Sequence, residues 1–285
     1  MSETTMSDPG EKFRNQEAAK IAGEKIDFSF GENWQKYLGG IVDQTIIDAE
    51  EDFKRIAGVE TLEGQTFLDL GCGSGMNSLI AYRLNADKIL SIDYDPNSIE
   101  AATYLRKTYA DDERWEIKRG SVLEQEFMES IGTHSFVLSW GVLHHTGSMW
   151  AAIENATQRV KPDGTFYVAL YHHNRHAHRW LKIKRFYNRC PGFVKKALII
   201  GHGSYGMVRA MTAFRSPFSV FKDKQRGMDY WRDIEDWLGG LPYEYCKPDE
   251  VIDRLVPQGF ALQKLTTTYG HGCNEFVFRR ASNDA

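Results

Sequence analysis

The stretch Phe67-Leu68-Asp69-Leu70-Gly71-Cys72-Gly73-Ser74-Gly75 decides the fold. Its first four residues are an apolar run with one Asp set into it, which predicts a short buried strand. Three glycines at alternate positions follow. Met76 to Leu84 then carries apolar residues at roughly three-to-four spacing, which predicts a helix. Glycines between a strand and a helix let the backbone turn tightly and let a ligand approach it closely. The helix N-terminus also favours a negative group nearby.

A three-glycine turn by itself reads equally well as a tight connection. Its context adds to it. Lys88-Ile89-Leu90-Ser91-Ile92-Asp93 predicts a second strand that ends in an acid, 18 residues beyond Gly75. A βαβ unit sets a carboxylate on a ribose hydroxyl at about this spacing, so the pattern points to a bound nucleoside. A dinucleotide fingerprint would place its third glycine where Met76 stands. That residue argues against a nicotinamide-dependent oxidoreductase, which stays as one alternative.

The run Asp69-Leu-Gly71-Cys-Gly73-Ser-Gly75 resembles motif I of the class I S-adenosylmethionine-dependent methyltransferases. The overall look is similar to the ubiquinone/menaquinone-type small-molecule group. The likeness spans roughly residues 60 to 172 and, more loosely, the last forty. It implies a Rossmann-like α/β fold: a mostly parallel seven-stranded sheet with an antiparallel last strand, helices on both faces and a helical cap insertion. It implies S-adenosyl-L-methionine as cofactor. Asp69, Gly71, Cys72, Gly73 and Gly75 would lie at its methionine end. Asp93 would take the ribose hydroxyls, and Tyr94, Ser121 and Val122 would border the adenine. Most relatives carry Asp after the glycine matching Gly120, where it holds the adenine amino group. Ser121 stands there in this chain and offers a hydroxyl acceptor instead.

Ser135 to Trp140 predicts a fourth strand, and Gly141-Val142-Leu143-His144-His145 its exit loop. This segment resembles motif IV of the same family. Ligands of open α/β sheets bind beyond the carboxyl ends of the strands, so Trp140, Gly141, Val142 and His144 should face cofactor or substrate. The Asn/Asp-Pro-Pro-Tyr signature of relatives that methylate DNA nitrogens is absent.

The chain of 285 residues and 42% apolar content holds enough material for one large α/β domain with an insertion. Residues 1–15 read as a disordered tail, and 16–58 as an N-terminal helical lid. Residues 59–172 read as the cofactor-binding core, 173–245 as a basic helical cap, and 246–285 as a closing helix and strand pair. Ile41 to Ala57 has the spacing of a helix packed across the sheet; as a lid, the N-terminal region would bring Trp34 and Tyr37 near the reacting methyl. Lys161-Pro162-Asp163-Gly164 predicts a turn before a fifth strand, Thr165 to Tyr171. Helices are expected at Met149–Val160, within His173–Leu198, at Met228–Leu238 and at Pro248–Val256, with a loop at Pro217–Arg226. Two strands close the chain, Ala261–Tyr269 and Cys273–Arg280. The polar N-terminus has no apolar signal core, and a cytoplasmic location is expected. The four cysteines are far apart with no C-x-x-C pair, so ordinary thiols and no metal site are expected.

Methyl transfer from a sulfonium is an in-line displacement, and the protein has to align the acceptor and remove its proton. His144, His145 and His172 are the candidate bases, because histidine suits proton removal near neutral pH. His173 and Tyr243 join Trp34 and Tyr37 as candidate substrate contacts.

Net charge is −4, unevenly spread: His173 to Arg226 holds 13 Lys and Arg against one acid, Asp223. Three accounts of that stretch compete: a solvated helix face, a surface drawn to anionic lipid, and recognition of an anionic substrate such as RNA or a nucleotide sugar. No sequence-specific nucleic-acid module is recognisable. The reading is O-methylation of a small molecule, glycan precursor or lipid-linked acceptor, with a homodimer as the candidate assembly. The alternatives are an RNA or other anionic-substrate methyltransferase and a cofactor-binding partner protein without turnover.

Overall fold

The computed structural model describes residues 43–110, 113–173, 175–214, 216–217, 230–268 and 272–282. Trp34, Tyr37 and most of the expected Pro217–Arg226 loop lie outside them. Seven strands form one sheet in the order β3-β2-β1-β4-β5-β7-β6. They are β1 (Thr66–Leu70), β2 (Lys88–Asp93), β3 (Trp115–Arg119), β4 (His134–Trp140), β5 (Val160–Tyr171), β6 (Phe260–Thr266) and β7 (Cys273–Arg280). Strands β1 to β5 run parallel, and β7 lies antiparallel between β5 and β6. This is the Rossmann-like sheet with its inserted antiparallel last strand.

Strand alternation sorts the side chains onto two faces. Leu68, Leu70, Val137, Phe166, Val168, Phe276 and Phe278 pack on one side against α5 (Met149–Thr157) and α9 (Pro248–Leu255), with Met128 of α4 (Gln125–Ser130). Phe67, Phe136, Leu138, Tyr167 and Val277 face the other side, under α1 (Asp43–Ala57), α2 (Met76–Arg83) and α3 (Pro96–Tyr109). Phe53 of α1 stacks into this second layer, with ring centroids 5.7 Å from Phe136 and 6.1 Å from Tyr167. Ile46 and Phe53 are buried, so this part of the expected helix packs on the sheet as its spacing indicates.

The segment Lys161–Gly164 is not a separate turn. β5 runs unbroken from Val160, and the ladder to β4 shifts register between His134 and Phe136 to take up the extra residues. Asp163 absorbs the bend at φ 55°, a conformation short polar side chains tolerate.

Two helices follow β5, α6 (Ala177–Arg189) and α7 (Gly192–Thr212), and α8 (Tyr230–Gly239) precedes the return to the core. The return is stitched by backbone. Cys246 N–H donates to the Tyr171 carbonyl, His173 N–H to the Cys246 carbonyl and Glu244 N–H to the His144 carbonyl. No helix among the described residues is long and apolar enough to cross a membrane.

Candidate active site

A cleft of about 1410 Å³ opens at the carboxyl ends of the strands, where the order reverses between β1 and β4. The glycine turn forms its floor. Gly71 N–H and Cys72 N–H both donate to the Ile92 carbonyl, and Gly73 N–H donates to Asp93 Oδ2 at 2.9 Å. Asp93 Oδ1 accepts from Asp95 N–H at 2.9 Å. The Asp93 carboxylate thus ties the glycine turn to the end of β2 and holds its position at the cleft. Burial raises its pKa, opposed by those backbone donors. Gly71 has φ +76°, and a Cβ there would sit 2.4 Å from Val142 Cγ1. Only glycine lets β1 turn this close to the loop after β4.

Asp69 does not face the cleft, contrary to expectation. It is buried under α2, where Ser78 Oγ donates to its Oδ2 at 2.7 Å. The contact continues as a buried polar chain: Trp115 Nε1 donates to Ser91 Oγ at 2.7 Å, and Ser91 meets Ser78 Oγ at 2.6 Å. With Ser78's one proton committed to the carboxylate, Ser91 donates to Ser78. The chain links β3, β2, α2 and β1 beneath the glycine turn. Burial, with the nearby Asp93 charge, pushes Asp69 up to about 7 against the Ser78 bond. Gly75 also stands off the cleft. At φ +84° it starts α2, and a Cβ would press on Ala102 and Trp115.

Cys72, Gly71, Gly73, Asp93, Tyr94, Ser121, Val122, Trp140 and Gly141 all line the cleft. Ser121 Oγ accepts from Leu123 N–H at 3.2 Å, which shapes the loop after β3. Trp140 Nε1 donates to Glu275 Oε1 at 2.9 Å, so β4 and β7 share one wall. Glu275 is a residue the sequence reading missed. Its strand parity with Val277 was the available signal, because it sets a carboxylate on a buried face.

The four histidines separate. His145 lines the cleft. Its Nδ1 lies 2.6 Å from the Pro242 carbonyl oxygen. A carbonyl only accepts, so Nδ1 carries the proton and Nε2 is the acceptor nitrogen of the ring. Burial lowers its pKa to about 3, helped by the Lys184 charge and opposed by the Pro242 bond. His144 is fully buried instead, its Nδ1 accepting from Tyr171 N–H at 3.3 Å and its ring 3.9 Å from that of Tyr171. The intervening 3-10 turn, Leu143–His145, rotates neighbours to different sides. His172 is also off the cleft, with Nδ1 3.3 Å from the Gly272 carbonyl. His173 is exposed beside Tyr245, ring centroids 5.5 Å apart. Tyr243 is buried against Tyr171 and Trp237 rather than lining the cavity. Glu244 beside it turns inward, and its carboxylate accepts from Met149 N–H at 3.0 Å. Burial pushes that acid up to about 7.

The cap's contribution differs from the expected one. Its cleft-lining side chains include Tyr205 and Arg209 of α7 and Asp233, Asp236 and Trp237 of α8. None of the basic residues of α6 is among them, so that run gives no anion site in the cleft. One is buried altogether: Lys184 Nζ donates to the Trp237 carbonyl and lies 4.6 Å from the Trp237 ring and 4.9 Å from that of Tyr243. Burial lowers its pKa to about 7, with Asp236 opposing. The signal was present, since Ala177, Leu181 and Lys184 fall on one helical face.

The profile described as a methyltransferase domain matches residues 46–198, more than half of the chain. A ribosomal protein L11 methyltransferase from Cupriavidus metallidurans is 33% identical over 101 residues, 35% of this chain and 30% of the relative. Further L11 methyltransferases match over shorter stretches, including one from Cupriavidus pinatubonensis at 51% over 41 residues, 14% of each chain. The chain thus aligns with less than a third of these relatives' lengths. Two solved structures share the fold. PKMT2 from Rickettsia typhi, in complex with AdoHcy, has a TM-score of 0.55 at 13% identity, over 83% of this chain and 53% of its own. An O-methyltransferase family protein from Burkholderia thailandensis has a TM-score of 0.51 at 14% identity, over 85% and 58%. Family membership removes the nicotinamide alternative. By the profile match, carried on a Rossmann-like sheet, the chain belongs to the methyltransferase-domain family.

Proposed function

We propose that this protein methylates a hydroxyl group of a small acceptor bound between the β4–β7 wall and the cap helices, with His145 taking the proton. The observation that carries the reading is the His145–Pro242 hydrogen bond, which fixes Nε2 as an acceptor in a residue lining the cleft. The cleft residues fit the cofactor: the Asp93 carboxylate suits ribose hydroxyls, and the Val122 and Leu123 side chains with the Ser121 hydroxyl suit an adenine edge. When bound, the cofactor supplies the methyl carbon and takes the electron pair back on its sulfur.

The chain's own residues then have three tasks. Trp140, Tyr167 and Tyr171 wall the acceptor side and exclude water. The Pro242 carbonyl keeps the imidazole in one tautomer. Nε2 accepts the proton as the acceptor oxygen gains its new bond. An oxygen gaining that bond becomes a strong acid, so a base of low pKa serves if the proton leaves late.

A second reading rests on a different observation. Asp233, Asp236 and Glu275 line the same cleft, and acids favour a cationic acceptor such as an amine. Turnover to S-adenosylhomocysteine should be measured across hydroxylated and amine panels, with wild type and His145→Ala. Turnover of hydroxylated compounds that falls in the variant supports the first reading. Turnover of amines alone supports the second.

A further inference from the structure

Eight of the fourteen exposed large apolar side chains among the described residues fall between Ile183 and Phe214. On α7 they form a stripe. Phe193, Ile200, Val208 and Met211 are 76%, 59%, 50% and 51% exposed. With the exposed Ala197 and Ser204, their intervals of four, three, four, four and three residues keep them on one helical face. Tyr205 and Arg209 stand on the flank that rims the cleft, so the stripe belongs to the outer side of the same helix.

The two helices themselves are cationic, and the acids near them, Asp233, Glu235 and Asp236, stand on α8. From His173 to Phe214 the chain has nine Lys and Arg and no acid. Arg175, Arg179, Lys182, Arg189 and Lys196 are exposed. The apolar stripe and the exposed positive charges lie on two helices that follow one another and pack together.

We propose that the outer face of α6 and α7 docks on the surface of an anionic lipid bilayer, with the apolar stripe of α7 set among the acyl chains. Lipid is the partner that satisfies both features. Anionic headgroups complement the Lys and Arg, and the hydrocarbon beneath takes up Phe193, Ile200, Val208 and Met211. A second copy of this chain would bring like charges together across a twofold contact. A phosphodiester backbone would answer the charge and leave four apolar side chains in water. The helix lies on the membrane rather than through it, since it falls short of a spanning segment. Docking would set the cleft rim of Tyr205 and Arg209 close to the lipid surface. The proposal goes beyond the methyl-transfer reading and does not depend on it.

The test is co-sedimentation of the full chain with phosphatidylcholine vesicles, with and without phosphatidylglycerol. Two variants accompany wild type: Phe193→Ser/Ile200→Ser/Val208→Ser/Met211→Ser and Lys195→Glu/Lys196→Glu. All six positions avoid the buried core, and S-adenosylmethionine titration shows whether the cleft is intact in each. Binding to the anionic vesicles alone, weakened by salt and reduced about tenfold or more in each variant, is the expected result. Equal binding to both vesicles, or unchanged binding by intact variants, overturns the proposal. So does a dimer that the serine variant dissociates, or retention of an RNA oligonucleotide in place of vesicles. Absence of binding by the full chain, including because its own N-terminal residues cover the face, overturns it as well.

Discussion

His145 and Pro242 are 97 positions apart in sequence and 2.6 Å apart in space, ring Nδ1 to carbonyl oxygen. The first follows β4, and the second stands where the chain comes back from the cap. Burial and the Lys184 charge hold the imidazole's pKa near 3, so its neutral, accepting form is populated at every pH above that value. The turnover rate should therefore show no protonation limb between about pH 8 and about pH 5 from this residue. His145→Ala should lower kcat by about a hundredfold or more, with little change in cofactor affinity. Steady-state rates across that pH range in wild type and variant check both statements.

Lys184→Met removes a buried charge while keeping most of the side-chain volume. His145 should then become more basic, and its acid limb should move to higher pH, while staying below the ordinary imidazole range because burial remains. Stability offers a second reading. Lys184 has a folded-state pKa lowered to about 7, so the unfolded chain binds the extra proton between there and about 10.5. Wild-type stability should rise with pH across that window through this group, and the Met variant should lack that slope. Urea unfolding at the two ends of the window measures it.

Asp93 and Asp69 should behave oppositely on substitution. Asp93→Ala removes an acceptor shared by Gly73 and Asp95 N–H groups at the cleft, and S-adenosylmethionine affinity should fall about a hundredfold or more, read by calorimetric titration. Asp69→Asn keeps an acceptor for Ser78 and should leave that affinity within a few fold. Its mark is on stability. A carboxyl raised to about 7 stabilises fully below its unfolded value and loses that contribution as pH rises through 7. The Asn variant should therefore gain on wild type between pH 5 and pH 8, by about 2.5 kcal/mol.

Gly71→Ala places a Cβ within 2.8 Å of three Val142 atoms at a φ of +76°. The left-handed conformation costs an L-residue roughly 1–2 kcal/mol and the overpacking about 1–3 kcal/mol more. The melting temperature should fall, and adding Val142→Ala should recover part of the packing cost but none of the backbone cost. A double-mutant cycle by thermal unfolding separates the two.

Phe53→Ala should destabilise by about 3–5 kcal/mol, because its ring joins α1 to Phe67, Phe136 and Tyr167 on the sheet. Denaturant unfolding gives the value directly.

Local chemistry was legible in the sequence. The glycine turn, the acid closing β2 and the alternating strands each follow from forces acting within a few residues, and the structure places them as their spacing indicates. What was not legible is orientation set by distant chain. His144 and His145 are adjacent and chemically alike, and only the 3-10 turn and Pro242 tell them apart. Tyr243 reads as a substrate contact, yet it is buried against Lys184 and Trp237. Asp69 carries the motif's acid, yet its partner is a serine nine residues on, which no motif spacing announces. Lys161–Gly164 has the composition of a turn, and β5 runs through it by bulging these extra residues against β4.

The seam that brings the chain back joins His144 and Tyr171, inside the family match at residues 46–198, to Glu244 and Cys246, which lie beyond it. A fragment ending before Leu241 would keep every glycine of the donor half and have no carbonyl to orient His145. The residues before and after the cap helices thus meet in one site. A change in the length or tilt of the helices between them would reach the ring of His145 through Pro242.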